Sequence, residues 1–290
     1  MNYQPDMQKL DDAVAVAPIE LPRIPRQWLK AMGHFRKLIA DKEDTSQVFH
    51  ITKSLNGNDL YKSFNEFIAD PEGRKRFLER RDLVPILDDR ARLRAMPAGS
   101  LAAAYCDFMD TQGLTAQGLV DEFDRFAEDI EDTRPADFKW YNNRLRDTHD
   151  MQHVLTGYSR DALGETCVLA YAYQQSRGFG IQFIAYMGAM EVRRWAPKGA
   201  PVIGAIREAA ARGRASKAIE YYDLLDLLPR PLEEVRDMLG IPPMEKYPRV
   251  HAMMQEAGID PFEAVTGAVA STAQALNRKA QGKKVQVTSA

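Results

Sequence analysis

Four residues within one short stretch are of the types that bind divalent metal ions. The stretch reads RDTHDMQHVLTGYSRDALGE (146–165) and contains His149, Asp150, His153 and Glu165. On a helix, where each residue turns the chain by about 100°, the two histidines lie on one face roughly one turn apart, and we expect Asp150 to face the same point. Two imidazoles and two carboxylates suit zinc, and iron or manganese accepts the same donors.

Glu165 can reach the same ion only if the helix breaks before it. In an unbroken helix Glu165 would lie about 18 Å further along the axis than His153. Gly157 weakens the helix, and Ser159 or Asp161 can cap a new one, so we expect Glu165 on the facing helix. We therefore predict one site with four ligands, in which water can complete the shell and make the ion catalytic.

The same residues also have a simpler explanation. A histidine pair at i, i+4 on a helix often binds no metal, and Asp150 and Glu165 could be surface acids. However, the residues that follow Glu165 (GETCVLAYAYQQ) are strongly apolar. An acid that opens a buried helix is costly unless it is paired or metal-bound, so Glu165 favours the metal site.

Other polar residues of the stretch are candidates for binding an anionic substrate. Arg146 and Arg160 can hold an anion through paired N–H donors, but salt bridges to Asp147 or Asp161 explain both arginines at least as well. Tyr158 can donate a hydrogen bond near the metal, or act as an aromatic wedge in the turn.

The rest of the chain determines the class of protein that holds this site. It has 290 residues, a formal net charge of −2 and 45% hydrophobic residues, which suit a globular domain with a sizeable core. Its mixed charges give no footprint for nucleic acid. Two isolated cysteines, Cys106 and Cys167, make neither a disulfide framework nor a cysteine-based zinc site.

No segment has the character of a membrane span or a targeting signal. No apolar run reaches the ~18 residues that a membrane-spanning helix needs. The N-terminus (MNYQPDMQKLDDAVAVAPIELP) has early acids and no long apolar stretch, which makes it a poor secretory or organelle-targeting signal. A bacterial cytoplasmic protein is the simplest expectation, and attachment to a membrane surface stays open.

Apolar residues recur at helical spacing along most of the chain, and alternating strand patterns are scarce. We predict an all-α fold, a single-domain multi-helix bundle at residues 26–275. An extended, proline-containing arm (1–25) precedes it, and a flexible basic tail (276–290) follows. The stretch 165–192 is rich in small residues, which lets helices pack closely or leaves an apolar channel between them.

Together with its flanks, the metal-binding stretch resembles a known signature. RDTHDMQHVLTGYSRDALGE is similar to the H-D-x-x-H, eleven residues, E pattern of the coenzyme Q (ubiquinone) biosynthesis protein family, described as a zinc-binding scaffold and ring decarboxylase. All four residues of the pattern are present. Residues 209–243 resemble the family's late region, although Tyr222-Asp223-Leu224 replaces its usual DWE element. The resemblance covers Leu101 to Pro243.

The resemblance implies an α-helical protein that binds the isoprenoid tail and acts on the ring of a polyprenylated hydroxybenzoate. The expected activity is of the 4-hydroxy-3-methoxy-5-polyprenylbenzoate decarboxylase type, a carbon–carbon lyase or an oxidative decarboxylase. The four predicted ligands would also be the catalytic residues, and Arg146, Tyr158 and Arg160 would bind the substrate. Zinc is the expected ion, with iron or another divalent ion as the alternative.

Two other functions stay open. A non-catalytic scaffold would bind lipid and organise ubiquinone biosynthesis enzymes, with the metal joining two helices. An HD-type phosphohydrolase would need His34 or His50 as an upstream ligand, and neither has supporting context. We expect the polyprenylated precursor, other enzymes of the pathway and a membrane surface as partners, and the chain itself to form a homo-oligomer. The expected location is the cytoplasm, peripheral on the inner face of a bacterial inner membrane.

Overall fold

Helices make up most of the structure. The computed structural model describes residues 16–40, 46–118, 120–121 and 134–262. The α-helices of these residues are α1 (Trp28–Ala40), α2 (Ser46–Leu55), α3 (Asp59–Ala69), α4 (Pro71–Glu79), α5 (Val84–Asp88), α6 (Arg90–Arg94), α7 (Leu101–Gln112), α8 (Ala136–Asp147), α9 (His149–Thr156), α10 (Ala162–Ser176), α11 (Phe179–Trp195), α12 (Val202–Ala215), α13 (Leu224–Leu227), α14 (Leu232–Leu239) and α15 (Lys246–Glu256). A short 3₁₀ helix, Ile219–Tyr221, lies between α12 and α13.

The all-α prediction is confirmed for the described residues, which contain no strand and a single isolated bridge between Ser100 and Pro231. Residues 16–25 of the predicted arm contain no helix, and Asn65 anchors them by hydrogen bonds with both backbone groups of Ile19 (2.9 and 2.8 Å). The predicted tail (276–290) and the end of the predicted domain lie outside the described residues, so the domain limits stay predictions. Among the described helices, none is both long and apolar enough to cross a bilayer.

A break at residues 157–161 separates α9 from α10, as the sequence predicts. Gly157 ends α9 in the left-handed conformation, with φ +77°, a geometry that glycine adopts without strain. Asp161 then caps α10, because its carboxylate accepts hydrogen bonds from the backbone N–H groups of Leu163 (3.1 Å) and Gly164 (3.2 Å).

A buried network fixes the start of α9. Thr148 separates α8 from α9, and its hydroxyl donates to the carbonyl of Arg144 (2.9 Å). Oε1 of Glu220 accepts a hydrogen bond from the Gln152 amide (2.9 Å) and lies 3.3 Å from the Thr148 hydroxyl oxygen. Burial raises the pKa of the Glu220 carboxyl.

Two hydrophobic clusters enclose the site helices. Met151 and Leu155 of α9 pack into a cluster with residues of α7, α13 and α14, while α10 packs against α11 and α12 in a second cluster that also includes α15. The backbones of α10 and α12 approach closely, since a Cβ at Gly213 would lie 2.3 Å from the carbonyl oxygen of Tyr171. Ala185 and Ala189 are fully buried, so these small residues of the stretch 165–192 serve close packing.

Candidate metal centre

Three of the four predicted ligands converge where α9 and α10 meet. His149 and His153 lie one turn apart on α9, and Glu165 lies in the first turn of α10. Oε2 of Glu165 is 3.6 Å from Nε2 of His149 and 3.4 Å from Nε2 of His153. One donor atom from each residue lies within 4.8 Å of the other two, a spacing that a single ion can bridge, since metal–ligand bonds to zinc are about 2.0–2.2 Å.

The centre is closed on one side and open on the other. The side chains of His153 and Glu165 are 0% and 6% exposed, whereas that of His149 is 25% exposed. Phe108 of α7 stacks on the His153 ring at 5.4 Å between centroids. A molecule that reaches the three donor groups must therefore approach from the side of His149.

The protonation of His153 follows from a single backbone contact. Its Nδ1 lies 2.9 Å from the carbonyl oxygen of Tyr158, and because a carbonyl can only accept, Nδ1 carries the hydrogen. Nε2 is buried and has no hydrogen-bond partner in the described part of the chain. In the neutral ring this nitrogen is the one with a free lone pair, and it faces Glu165.

The charges of the centre favour a bound cation. Burial alone would raise the pKa of the Glu165 carboxyl, but His153, His149 and Arg160 outweigh it and hold the pKa well below its usual range. Burial likewise lowers the pKa of His153, and the neighbouring Glu165 carboxylate reverses this and raises it. Nε of Arg160 binds Oε1 of Glu165 at 3.1 Å, which leaves Oε2 for the imidazoles. An ionised carboxylate between two imidazoles attracts either protons or a metal ion.

Asp150 does not join the other three donor groups. On a helix Asp150 points about 100° from His149 and about 60° beyond His153, so it lies to one side of the face that the histidines share. Its side chain is nevertheless buried (8% exposed). Its helix, α9, packs against α7, where burial and the charge of Asp150 raise the pKa of Tyr105.

The predicted substrate-binding residues differ in how they relate to the centre. Arg160 forms a salt bridge to Glu165 of the centre. The sequence had also allowed a salt bridge from Arg160 to Asp161. Arg146 pairs with Asp147 (2.8 Å). The Tyr158 hydroxyl is buried and has no hydrogen-bond partner among the described residues, and it is the backbone carbonyl of Tyr158 that contacts the centre.

Residue types alone could not reveal three neighbours of the site. Phe108 and Tyr105 come from α7, more than forty positions before His153, and look like ordinary core residues in the sequence. The carbonyl of Tyr158 belongs to the backbone, so no side-chain pattern signals it.

The remaining histidines lie elsewhere. His34 and His50 stack on each other with centroids 4.4 Å apart, and among the residues that the structure describes neither belongs to the group of converging donors. Nε2 of His251 lies 3.1 Å from Asp161, the residue that caps α10.

A comparison with protein families finds one match over most of the chain. The family model described as coenzyme Q (ubiquinone) biosynthesis protein Coq4 matches residues 19–245. The match begins well before Leu101, where the resemblance seen in the sequence starts, and it includes the helices α1 to α14.

Curated relatives match over parts of their length. The mitochondrial ubiquinone biosynthesis protein COQ4 homolog of Bos taurus is 32% identical over 99 residues, which are 34% of this chain and 34% of the relative. The mitochondrial ubiquinone biosynthesis protein coq4 of Botryotinia fuckeliana is 26% identical over 187 residues, 63% of this chain and 61% of the relative. The matched region thus spans about a third of the mammalian relative and about three fifths of the fungal one.

One solved structure has a related fold. The crystal structure of a Nostoc punctiforme PCC 73102 protein, provisionally assigned to ubiquinone biosynthesis, superposes with a TM-score of 0.55 at 18% identity, covering 76% of this chain and 100% of that chain. At this identity the likeness supports the shared fold alone.

Proposed function

This chain belongs to the coenzyme Q (ubiquinone) biosynthesis protein Coq4 family, and from this premise we propose that it acts in ubiquinone biosynthesis through a divalent ion held by His149, His153 and Glu165. The convergence of these three donor groups at the junction of α9 and α10 carries the proposal. Asp150 is proposed as a catalytic neighbour rather than as a fourth member of the same group.

The donor set suits a catalytic ion. Two nitrogens and one oxygen from three side chains leave a coordination position for water or substrate, as in catalytic zinc sites. Nε2 of His153 is a buried polar atom that lacks a partner within the described residues, and such atoms are normally satisfied. Zinc is the ion that we propose, and iron would take its place if the reaction consumes oxygen, because zinc has no redox chemistry.

The proposed reaction removes the carboxylate from the ring of a polyprenylated hydroxybenzoate, of the 4-hydroxy-3-methoxy-5-polyprenylbenzoate type. A bound ion would supply Lewis acidity, which stabilises negative charge as the carboxylate leaves. The ring would enter on the exposed side of His149. Arg160 holds Glu165 in place, and the Asp150 carboxylate would take a proton from water and pass it to the ring carbon that loses carbon dioxide.

Turnover of a short-tailed hydroxybenzoate, with and without oxygen, tests this proposal. Protein loaded with zinc or with iron should release the carboxylate as carbon dioxide, and the double variant His149→Ala, His153→Ala should not. His34→Ala is the matched control, because it removes a histidine outside the donor group and should keep full activity. Release that requires both oxygen and iron would identify the oxidative form of the reaction.

The alternative function, a scaffold that binds lipid and organises pathway enzymes, has a distinct outcome in the same test. A scaffold would restore quinone synthesis in a deletion strain while releasing no carbon dioxide with either metal. We propose the polyprenylated precursor and other enzymes of the pathway as partners. A membrane surface and a second copy of the chain are further partners that the resemblance implies.

A further inference from the structure

Two arginines bind the last carbonyl groups of α9. Arg236 of α14 donates to the carbonyls of Leu155 and Val154, both at 2.9 Å. Arg212 of α12 donates through Nη2 to the carbonyl of Thr156 at 3.0 Å. The last carbonyls of a helix have no partner within the helix, so these two side chains complete the end of the helix that carries both histidines.

Arg212 also contacts the residue beyond the end of the helix. Its guanidinium carbon lies 4.9 Å from the centre of the Tyr158 ring, and its Nε donates to the carbonyl of Pro242 at 2.7 Å. The side chain is buried, with 5% exposed. Arg212 therefore contacts the residues on both sides of Gly157, Thr156 by a hydrogen bond and Tyr158 by a cation–π contact.

The contact between Arg212 and Tyr158 affects the orientation of His153. The carbonyl of Tyr158 accepts the hydrogen of Nδ1, so the neutral ring keeps its lone pair on Nε2, which lies 3.4 Å from Oε2 of Glu165. Partners of this kind orient a histidine ligand and raise its basicity. If the turn at Gly157 shifts, the Tyr158 carbonyl shifts with it.

We propose that Arg212 is a positioning residue of the metal centre, which holds the Tyr158 carbonyl against Nδ1 of His153 and so presents Nε2 to the ion. The inference rests on the proposed metal site, but it concerns a residue on another helix that touches none of the three ligands in the contacts described above. Arg236 does not share this role, because it is 27% exposed, pairs with Glu233 and binds carbonyls before the turn.

An arginine suits this role better than a lysine. Its planar fork donates in two directions at once while its charge lies against an aromatic ring, and Arg212 makes contacts of both kinds. A lysine keeps the charge at the end of the helix, which favours cations there, but offers a single ammonium group. Arg212→Lys therefore keeps the charge and removes the positioning contacts, so it separates the two effects.

The test measures zinc affinity and the His153 tautomer in Arg212→Lys, Arg212→Met and the control Arg214→Met. Arg214 lies two residues later on α12, is exposed, and donates to Gln174 at 3.3 Å. Competition with a chromophoric chelator gives the zinc Kd. Ring ¹⁵N shifts of the metal-free protein, assigned with His153→Gln and recorded above the pKa of His153, where the ring is neutral, give the tautomer.

We expect both Arg212 variants to bind zinc about tenfold more weakly, the lower end of the effect of removing an outer-shell partner. The His153 hydrogen should move from Nδ1 toward a mixture of both nitrogens. Arg214→Met should match the wild type in both measurements. Folded Arg212 variants with the wild-type Kd and tautomer would overturn the inference, and if Arg212→Met does not fold, Arg212→Lys decides.

The two proposals fail in different ways. If the wild type binds no zinc, the proposed metal site is wrong. The tautomer of metal-free His153 then decides the role of Arg212 alone, because an unchanged tautomer in Arg212→Lys contradicts that role and a shifted one supports it.

Discussion

At the residue scale, the chemistry depends on Glu165. Its carboxylate is buried between two imidazoles and keeps one oxygen on Arg160. Burying a charge without compensation is costly, and here the positive or polarised groups around Glu165 lower its pKa despite the burial. The result is a fixed anionic oxygen next to two nitrogen donors, the feature that makes a cation site out of two neighbouring helices.

The first prediction separates Asp150 from the ligands. Asp150→Asn should keep about one zinc per chain, because Asp150 lies outside the converging group, and should lower turnover of a short-tailed hydroxybenzoate at least about a hundredfold, since general acid–base contributions are about 10²–10⁴. Elemental analysis and turnover check this, with His153→Ala as the variant that should lose the metal. Loss of zinc in Asp150→Asn would contradict this prediction and support the four-ligand site that the sequence predicts.

At the element scale, the break between α9 and α10 brings Glu165 back to the histidines. Gly157 and Asp161 act through local backbone geometry and capping, which is why residue type predicted this break. The break at Thr148 was not predicted; the side chain of Thr148 lies against Glu220, which is 72 positions away in sequence. Local chemistry can thus be predicted from sequence, whereas a contact made by a distant element cannot.

The second prediction concerns the turn itself. Gly157→Ala should destabilise the protein by about 1–2 kcal/mol, the cost of a side chain in the left-handed conformation, and should also weaken zinc binding because the Tyr158 carbonyl moves. Gly99→Ala is the control: Gly99 has φ +74° and open space around it, so the unfolding cost should be similar. Denaturant unfolding measures the stability of both variants, and zinc titration measures their affinity for the ion. Equal zinc affinities in both variants would argue against the turn as a support of the site.

The third prediction is a pH dependence of stability from Glu220. Burial raises the folded-state pKa of Glu220, so its contribution to stability is present below the unfolded pKa of about 4.3 and is lost as the pH rises through the folded pKa. Glu220→Gln keeps an acceptor for Thr148 and Gln152 without the charge. Its stability relative to the wild type should therefore rise between pH 4 and pH 7 in urea titrations, and a constant difference over that range would contradict the assignment.

At the scale of the whole molecule, the centre depends on helices that are distant in sequence. Residue spacing alone predicted the all-α class and the convergence of the two histidines with Glu165. The stacking of Phe108 from α7 on His153 and the hydrogen bond of Arg212 from α12 to Thr156 could not be predicted. Both contacts arise from how separate helices pack. The position of Asp150 could not be predicted either, because it depends on how α9 is oriented against α7 in the core.

The fourth prediction tests the packing that holds α10 in place. A Cβ at Gly213 would lie 2.3 Å from the backbone oxygen of Tyr171, so Gly213→Ala should lower the free energy of unfolding by about 1–3 kcal/mol, as overpacking does. Gly204→Ala, on the same helix, would meet mainly the flexible side chain of Lys246 at 3.0 Å, and should be neutral or stabilising by up to about 1 kcal/mol. Denaturant titration of both variants checks this, and equal effects would show that α12 does not press on α10.

The most direct measurement of the central claim is an anomalous difference map at the zinc edge from crystals of the zinc-loaded protein. We expect one peak per chain, bonded to Nε2 of His149, Nε2 of His153 and Oε2 of Glu165 at about 2.0–2.2 Å, with one position open on the side of His149. A peak elsewhere, or no peak between α9 and α10 in protein that retains zinc, would contradict the account.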